Sequence, residues 1–149
     1  MALIDDINAK LKEAMLARDQ FLTGVLRDLK SAILYEEVAK NKRDTGLDDV
    51  EIEMVIAREV KKRNDSIEIY KSAGDDERAG KETAEREILS EFLPEPLSDS
   101  ELKEVINRVI ADGEFTIKDM GRAIGAVKAE VGSQADGAKI AAIVKEQLT

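Results

Sequence analysis

The chain has no cysteine and no histidine among its 149 residues. Without cysteine it can form neither disulfides nor thiolate metal sites, and it offers no thiol nucleophile. Without histidine it lacks the side chain that most often acts as a general base and most often binds metal ions. We therefore expect no metal site and no cofactor, and we predict that the chain performs no catalysis by itself.

Aromatic residues are scarce, at 3% of the chain with no tryptophan. Most apolar residues are leucine, isoleucine, valine, alanine and methionine, which favours helices packed on helices over packed sheets. No stretch approaches the roughly 20 apolar residues of a membrane-spanning helix. Asp5 and Asp6 stand where a signal peptide would carry basic residues. These features predict a soluble cytoplasmic protein without a membrane partner.

Positive charge is also in deficit, because the formal net charge is -9. Proteins that bind nucleic acid usually present a basic face, since neutralising phosphates drives their binding, and we expect no DNA partner. The deficit is uneven along the chain. Residues 1–97 carry 23 acidic and 16 basic side chains, a net of -7, whereas residues 98–149 carry 9 and 7, a net of -2. If either part contacts phosphate, the second is the better candidate.

Apolar residues recur at helical spacing along almost the whole chain. This pattern predicts an all-α protein with about four helices before Pro94-Glu95-Pro96 and three after it, over about 98–111, 116–130 and 136–148. Turns are predicted at 112–113 and 132–134. Because proline cannot continue a helix, we predict a helical domain over 1–93, a linker over 94–97 and a three-helix bundle over 98–149.

Three predicted helices begin with the spacing of a capping box, in which a short polar side chain precedes an acidic residue by three positions. The pairs are Asp48 with Glu51, Ser98 with Glu101, and Thr116 with Asp119. Such a pair satisfies backbone amides that have no partner inside the helix and contributes on the order of 1 kcal/mol. The pattern therefore predicts where these helices start.

A polar segment that includes Lys62 and Arg63 interrupts the apolar stripe of the third helix. The favoured interpretation is that Arg63 lies along a helix–helix groove and pairs with Glu82 or Glu85 of the fourth helix. The alternative is a partly buried cationic site for an anionic ligand. Paired carboxylates can also perform acid–base chemistry or bind Mg²⁺, but acids on a helix rich in lysine and arginine are more typical of a solvent-exposed face.

Gly121 and Gly125 stand four residues apart inside a predicted helix, where each costs roughly 1 kcal/mol relative to alanine. Close approach of a neighbouring helix is the favoured explanation. The alternative is close approach of a ligand backbone, such as a nucleic-acid phosphate or ribose. Lys118 and Arg122 lie one turn apart on one face, which supports the ligand interpretation.

Several segments occur in the order and at the spacing of the GatB/YqeY family, which the chain resembles over about residues 20–149. They are Leu26-Arg27-Asp28-Leu29-Lys30-Ser31-Ala32-Ile33, Lys61-Lys62-Arg63-Asn64-Asp65-Ser66-Ile67, Lys81-Glu82, Phe92-Leu93-Pro94, Asp119-Met120-Gly121-Arg122, and the turn from Gly132 to Gly137. The resemblance, closest to stand-alone YqeY-like proteins, implies a carboxy-terminal domain similar to the tail of the B subunit of tRNA-dependent amidotransferases. That tail helps to hold tRNA, whereas the catalytic domains of the enzyme have no counterpart here.

The resemblance thus implies a non-catalytic tRNA-binding accessory module. Ser133-Gln134 stands where the family usually carries a basic residue, which leaves Lys139 as the nearest cation. The expected contacts are Lys118, Gly121, Arg122, Gly125, Gly132 and Lys139. The alternative is a helical adaptor for a protein partner in the translation or amidotransferase machinery, which the negative net charge favours. A third hypothesis, a carbon–nitrogen ligase with glutamine as amido donor, lacks a nucleophile–base pair in the sequence.

Overall fold

The computed structural model describes residues 2–149, and the regular elements in this range are all helical. Seven α-helices follow one another, and two short 3-10 turns, over Ile117–Asp119 and Gly132–Gln134, flank the sixth. The α-helices are α1 (Leu3–Leu16), α2 (Gln20–Ala39), α3 (Asp49–Ser72), α4 (Asp76–Ser90), α5 (Asp99–Gly113), α6 (Met120–Val131) and α7 (Gly137–Leu148). The all-α prediction is confirmed. Between residues 2 and 149, no helix has both the length and the apolar character needed to cross a membrane.

The starts of α3 and α5 are fixed by the predicted capping boxes. The Asp48 carboxylate accepts a hydrogen bond from the Glu51 amide at 2.8 Å, and the Glu51 carboxylate accepts one from the Asp48 amide at 3.1 Å. Ser98 and Glu101 exchange the same two hydrogen bonds, both at 3.2 Å. Both predictions are confirmed, and each cap satisfies two amides at the exposed end of its helix.

Residues 1–93 form one compact unit, here called unit 1, which contains α1 to α4. Aliphatic side chains from its helices and from the loop before α3 make one core. The buried members are Ile7, Val25, Leu29, Ile33, Leu47, Ile52, Val55, Ile56 and Leu89. Unit 1 is therefore held together by helix-on-helix packing, as its aliphatic composition suggests.

Residues 94–149 form a second compact unit, here called unit 2, which contains α5, α6 and α7. Its separate core is formed by side chains of all three helices, including Val131 at the end of α6. The buried members are Leu102, Ile106, Ala123, Val127, Val131, Ile140, Ile143 and Val144. Since Ala123 and Val127 turn one side of α6 into this core, the packing also determines which side of α6 faces solvent.

The turn predicted at 112–113 is displaced by one residue. Gly113 is still the last residue of α5, and Glu114 adopts the left-handed conformation with φ of 52°. A Cβ atom on Gly113 would overlap the Phe115 ring, so glycine here makes room for the ring. Gly132, in contrast, has φ of 55° and ψ of -125°, a conformation that side chains disfavour. The turn predicted at 132–134 is confirmed.

Candidate nucleic-acid interface

Four of the six predicted contact residues lie on one exposed face at the start of α6. Lys118, in the 3-10 turn before α6, lies four residues before Arg122, and Gly121 lies four residues before Gly125. All four residues are exposed. Ala123, on the other side of the helix, is completely buried. The four residues therefore form one continuous surface, here called the α6 face, whose orientation is fixed by the core of unit 2.

The two glycines of the α6 face have no packing partner. A Cβ atom added to Gly121 or to Gly125 would have no neighbouring atom within 4 Å. The interpretation that another helix packs closely against them is therefore wrong for both positions. Neither glycine has a positive φ, so backbone conformation does not explain them either. The alternative, close approach of a ligand, stays a prediction.

The acidic side chain closest to the α6 face is tied to the helix start. The Asp119 carboxylate accepts hydrogen bonds from the Thr116 amide at 3.0 Å and from the Thr116 hydroxyl at 3.2 Å. The amide hydrogen bond is the main reason why the pKa of Asp119 lies below its usual value. Asp119 therefore stays ionised and caps the turn that begins this segment.

Arg122 has two neighbours that hold its guanidinium at the surface. Its Nη1 atom lies 3.5 Å from Oδ1 of Asp119, and its Cζ atom lies 5.6 Å from the centre of the Phe115 ring. The side chain nevertheless remains 78% exposed. Guanidinium groups that lie over a ring keep their edge available for hydrogen bonds. Arg122 is thus placed to donate hydrogen bonds to an anion in solution.

The other two predicted contacts, Gly132 and Lys139, lie outside the α6 face. Gly132 is half-buried and provides the backbone conformation that ends α6. Lys139, in α7, forms an ion pair with Asp99 at the start of α5, and this pair lowers the pKa of Asp99. Both residues therefore serve connections within unit 2, and the structure does not bring them together with Arg122.

The charged cluster of unit 1 has the geometry of an ion pair between helices. Nε of Arg63 lies 3.6 Å from Oε2 of Glu85, and Nη1 donates a hydrogen bond to the Glu59 carbonyl at 3.1 Å. Burial and the negative charge of Glu82 raise the pKa of Glu85. Lys62 is bound to Glu59 at 3.0 Å. Because Glu59 and Glu85 already lie beside these cations, the geometry favours the structural interpretation over an anion site.

Comparison with known proteins assigns the chain to a family. The family model described as Yqey-like protein matches residues 4–148. The chain belongs to the YqeY-like family. It is also 30% identical over 83 residues to "Altered inheritance of mitochondria protein 41, mitochondrial" from Vanderwaltozyma polyspora. That match takes in 56% of this chain and 44% of the relative, so it spans less than half of the relative's length. A cytoplasmic location of this YqeY-like protein stays a prediction.

Sequence reasoning missed two residues that contribute to the α6 face of this YqeY-like protein. Lys128 follows Gly125 by three residues and is exposed, so the helical step that joins Lys118 to Gly125 could have included it. Phe115 supports Arg122, but no local pattern shows that contact. Together with Lys128, the cations Lys118 and Arg122 of the α6 face lie around two exposed glycines.

Proposed function

We propose that this YqeY-like protein is a non-catalytic accessory module that binds tRNA through the α6 face of unit 2. The observation that carries the proposal is the open space at Gly121 and Gly125 together with the exposed cations Lys118 and Arg122 beside it. Glycine inside a helix lowers stability, and here no contact within the protein accounts for it. A surface without side chains allows an RNA backbone to come close to the helix, and Lys118 and Arg122 supply the positive charge that phosphates require.

The charges one turn before these glycines distinguish them from another open glycine. Gly80 of α4 is also exposed, and a Cβ atom added to it would have no neighbouring atom within 4 Å. The residues one turn before Gly80 are Asp76 and Glu77, whose negative charges would repel a phosphate. Open space alone therefore does not support the proposal, whereas open space next to Lys118 and Arg122 does.

The α6 face is suited to recognition of RNA by shape and charge. The Phe115 ring beside it is covered by the Arg122 guanidinium, so that ring is not open for stacking with a base. Recognition of unpaired bases usually depends on exposed aromatic rings, whereas recognition by shape depends on contacts to phosphate and ribose. We therefore expect weak dependence on RNA sequence and strong dependence on salt concentration.

The proposal is tested by measuring the binding of bulk tRNA to the full chain by fluorescence anisotropy at about 50 and 200 mM salt. Arg122→Glu should weaken binding roughly tenfold or more, because a charged hydrogen bond contributes about 1.5–3 kcal/mol. The matched control is Lys145→Glu, which makes the same change of charge in α7 of the same unit. Absence of wild-type binding at the lower salt concentration, or equal losses in the two variants, would contradict the proposal.

An adaptor function is the second candidate, supported by exposed apolar side chains in unit 1. Tyr35 is 78% and Val38 is 59% exposed on α2, and Tyr35 lines an open groove of about 500 Å³ between α2 and α3. Exposed apolar surface of this kind is typical of protein-binding sites. If a purified amidotransferase or synthetase binds the chain, Tyr35→Ala should weaken that complex while Arg122→Glu leaves it unchanged.

A further inference from the structure

The end of the Lys128 side chain lies close to the start of α7. A Cβ atom on Gly137, the first residue of α7, would lie 3.2 Å from Cε and 3.3 Å from Nζ of Lys128. An alanine at 137 would therefore require the end of the lysine side chain to shift by a few tenths of an ångström. Within residues 2–149 no carboxylate forms an ion pair with Lys128, so its positive charge is not neutralised by a salt bridge.

Arg122, earlier in α6, is supported by the Phe115 ring. Its guanidinium lies over the Phe115 ring, and that ring lies where a side chain at Gly113 would be. Arg122 and Lys128 are six residues apart, which corresponds to about 9 Å along the helix axis. Gly125 lies between them and is open to solvent. Arg122 and Lys128 thus lie before and after the exposed Gly125 along α6.

We propose that Arg122 and Lys128 bind two phosphates of one RNA backbone. This inference rests on the proposed function, and it adds Lys128 as a contact residue with a role distinct from that of Arg122. The guanidinium can donate two parallel hydrogen bonds to a phosphate, whereas the ammonium acts as a compact point charge. Both contacts are to the backbone, so they position the RNA without reading its sequence.

The number of phosphates bound can be counted from the salt dependence of tRNA binding by the full chain. The logarithm of the binding constant falls linearly with the logarithm of the salt concentration, and each lost phosphate contact reduces the slope by about 1. We expect a reduction of about 1 for Lys128→Ala, about 1 for Arg122→Ala and about 2 for the double variant. The controls Lys103→Ala and Lys145→Ala remove an exposed lysine from α5 and α7 and should leave the slope unchanged.

A variant that keeps every charge tests the placement of Lys128. In Gly137→Ala the new methyl group requires the end of Lys128 to shift by a few tenths of an ångström, so the fall in tRNA affinity should be small in the wild-type background and absent in the Lys128→Ala background. If wild-type protein binds tRNA but Lys128→Ala keeps the wild-type slope, the two-phosphate contact is wrong and the proposed function stands. If wild-type protein binds no tRNA at low salt, both are overturned.

Discussion

A cluster of cations in unit 1 and two lysines of unit 2 differ in their ion pairs. In unit 1, Lys40 and Lys42 both bind Glu51, at 3.2 and 2.9 Å, and Arg58 binds Glu36 at 2.9 Å. On the α6 face of unit 2, Lys118 and Lys128 form no ion pair with any residue between 2 and 149. Cations that are paired within a protein contribute to its folding, whereas unpaired cations on one face are available to an anionic ligand. Ion pairs that stabilise unit 1 thus contrast with exposed lysines of unit 2 that, in the proposed function, bind phosphate.

The largest effect on stability is expected from a substitution in the core of unit 1. It tests whether stability and tRNA binding depend on different units. Ile56 is completely buried, and truncation of such a side chain to alanine usually costs about 2–5 kcal/mol of stability. Ile56→Ala should therefore lower the free energy of unfolding of unit 1 by this amount while tRNA affinity is unchanged. Tyrosine fluorescence during urea unfolding reports on unit 1 alone, because both tyrosines, Tyr35 and Tyr70, belong to it.

Hydrogen–deuterium exchange measured by mass spectrometry provides the control for Ile56→Ala. Peptides from α3 should exchange faster in the variant, and peptides from α6 should exchange at the wild-type rate. A loss of tRNA affinity in a variant that remains folded would show that binding depends on unit 1, and the separation of the two units by function would then be wrong.

A smaller effect, with opposite signs for stability and binding, is expected at the helical glycines. Gly121→Ala and Gly125→Ala should each stabilise α6 by about 0.5–1 kcal/mol, since alanine favours the helix and the new methyl group meets no atom. The same methyl groups hold an RNA backbone away from the helix. We expect tRNA affinity to fall roughly tenfold in the double variant, which corresponds to about 1.4 kcal/mol.

Gly24→Ala and Gly80→Ala are the matched controls for this prediction. Both glycines are exposed in helices of unit 1, and neither has an atom within 4 Å of an added Cβ. Each control should gain stability in its own helix and keep the wild-type tRNA affinity. Stabilised Gly121→Ala and Gly125→Ala variants that bind tRNA normally would remove the main support for the proposed function.

The sequence predicts features of this fold that depend on neighbouring residues. The caps at Asp48 and Ser98 are confirmed because each involves side chains only three residues apart. The neighbours of Arg122 and Lys128 are seven and nine positions away, since Phe115 lies beside Arg122 and Gly137 lies beside the end of Lys128. They depend on how separate segments of unit 2 pack, so no local pattern reveals them.

Gly121 and Gly125 show the same limit for the candidate site. Helical spacing correctly places both glycines on one face, but spacing alone does not tell whether that face meets another helix or solvent. The outcome depends on Ala123 and Val127, which turn the other side of α6 into the core of unit 2. Which molecule binds this face depends on contacts outside the chain. The packing of the chain on itself therefore does not reveal it.

The smallest predicted effect concerns Glu51, whose charge belongs to the stabilising network of unit 1. Hydrogen bonds from the Lys42 ammonium and the Asp48 amide lower the pKa of this carboxyl from 4.5 to about 2. The folded state therefore favours the ionised form, and the resulting stability is present above pH 4.5 and is lost as the pH falls toward about 2. Glu51→Gln removes the charge but keeps a side-chain oxygen for the Asp48 amide, so the variant isolates the ion pairs from the cap.

Urea unfolding of wild-type protein and Glu51→Gln, followed by tyrosine fluorescence at several pH values, measures this contribution. Wild-type protein should be more stable at neutral pH, and the difference should shrink between pH 4.5 and about 2. Affinity for tRNA at neutral pH should be equal in the two proteins, because Glu51 lies in unit 1. A stability difference that is independent of pH would mean that the lysines gain nothing from the charge of Glu51. The contrast between the paired cations of unit 1 and the unpaired Lys118 and Lys128 would then lose its energetic basis.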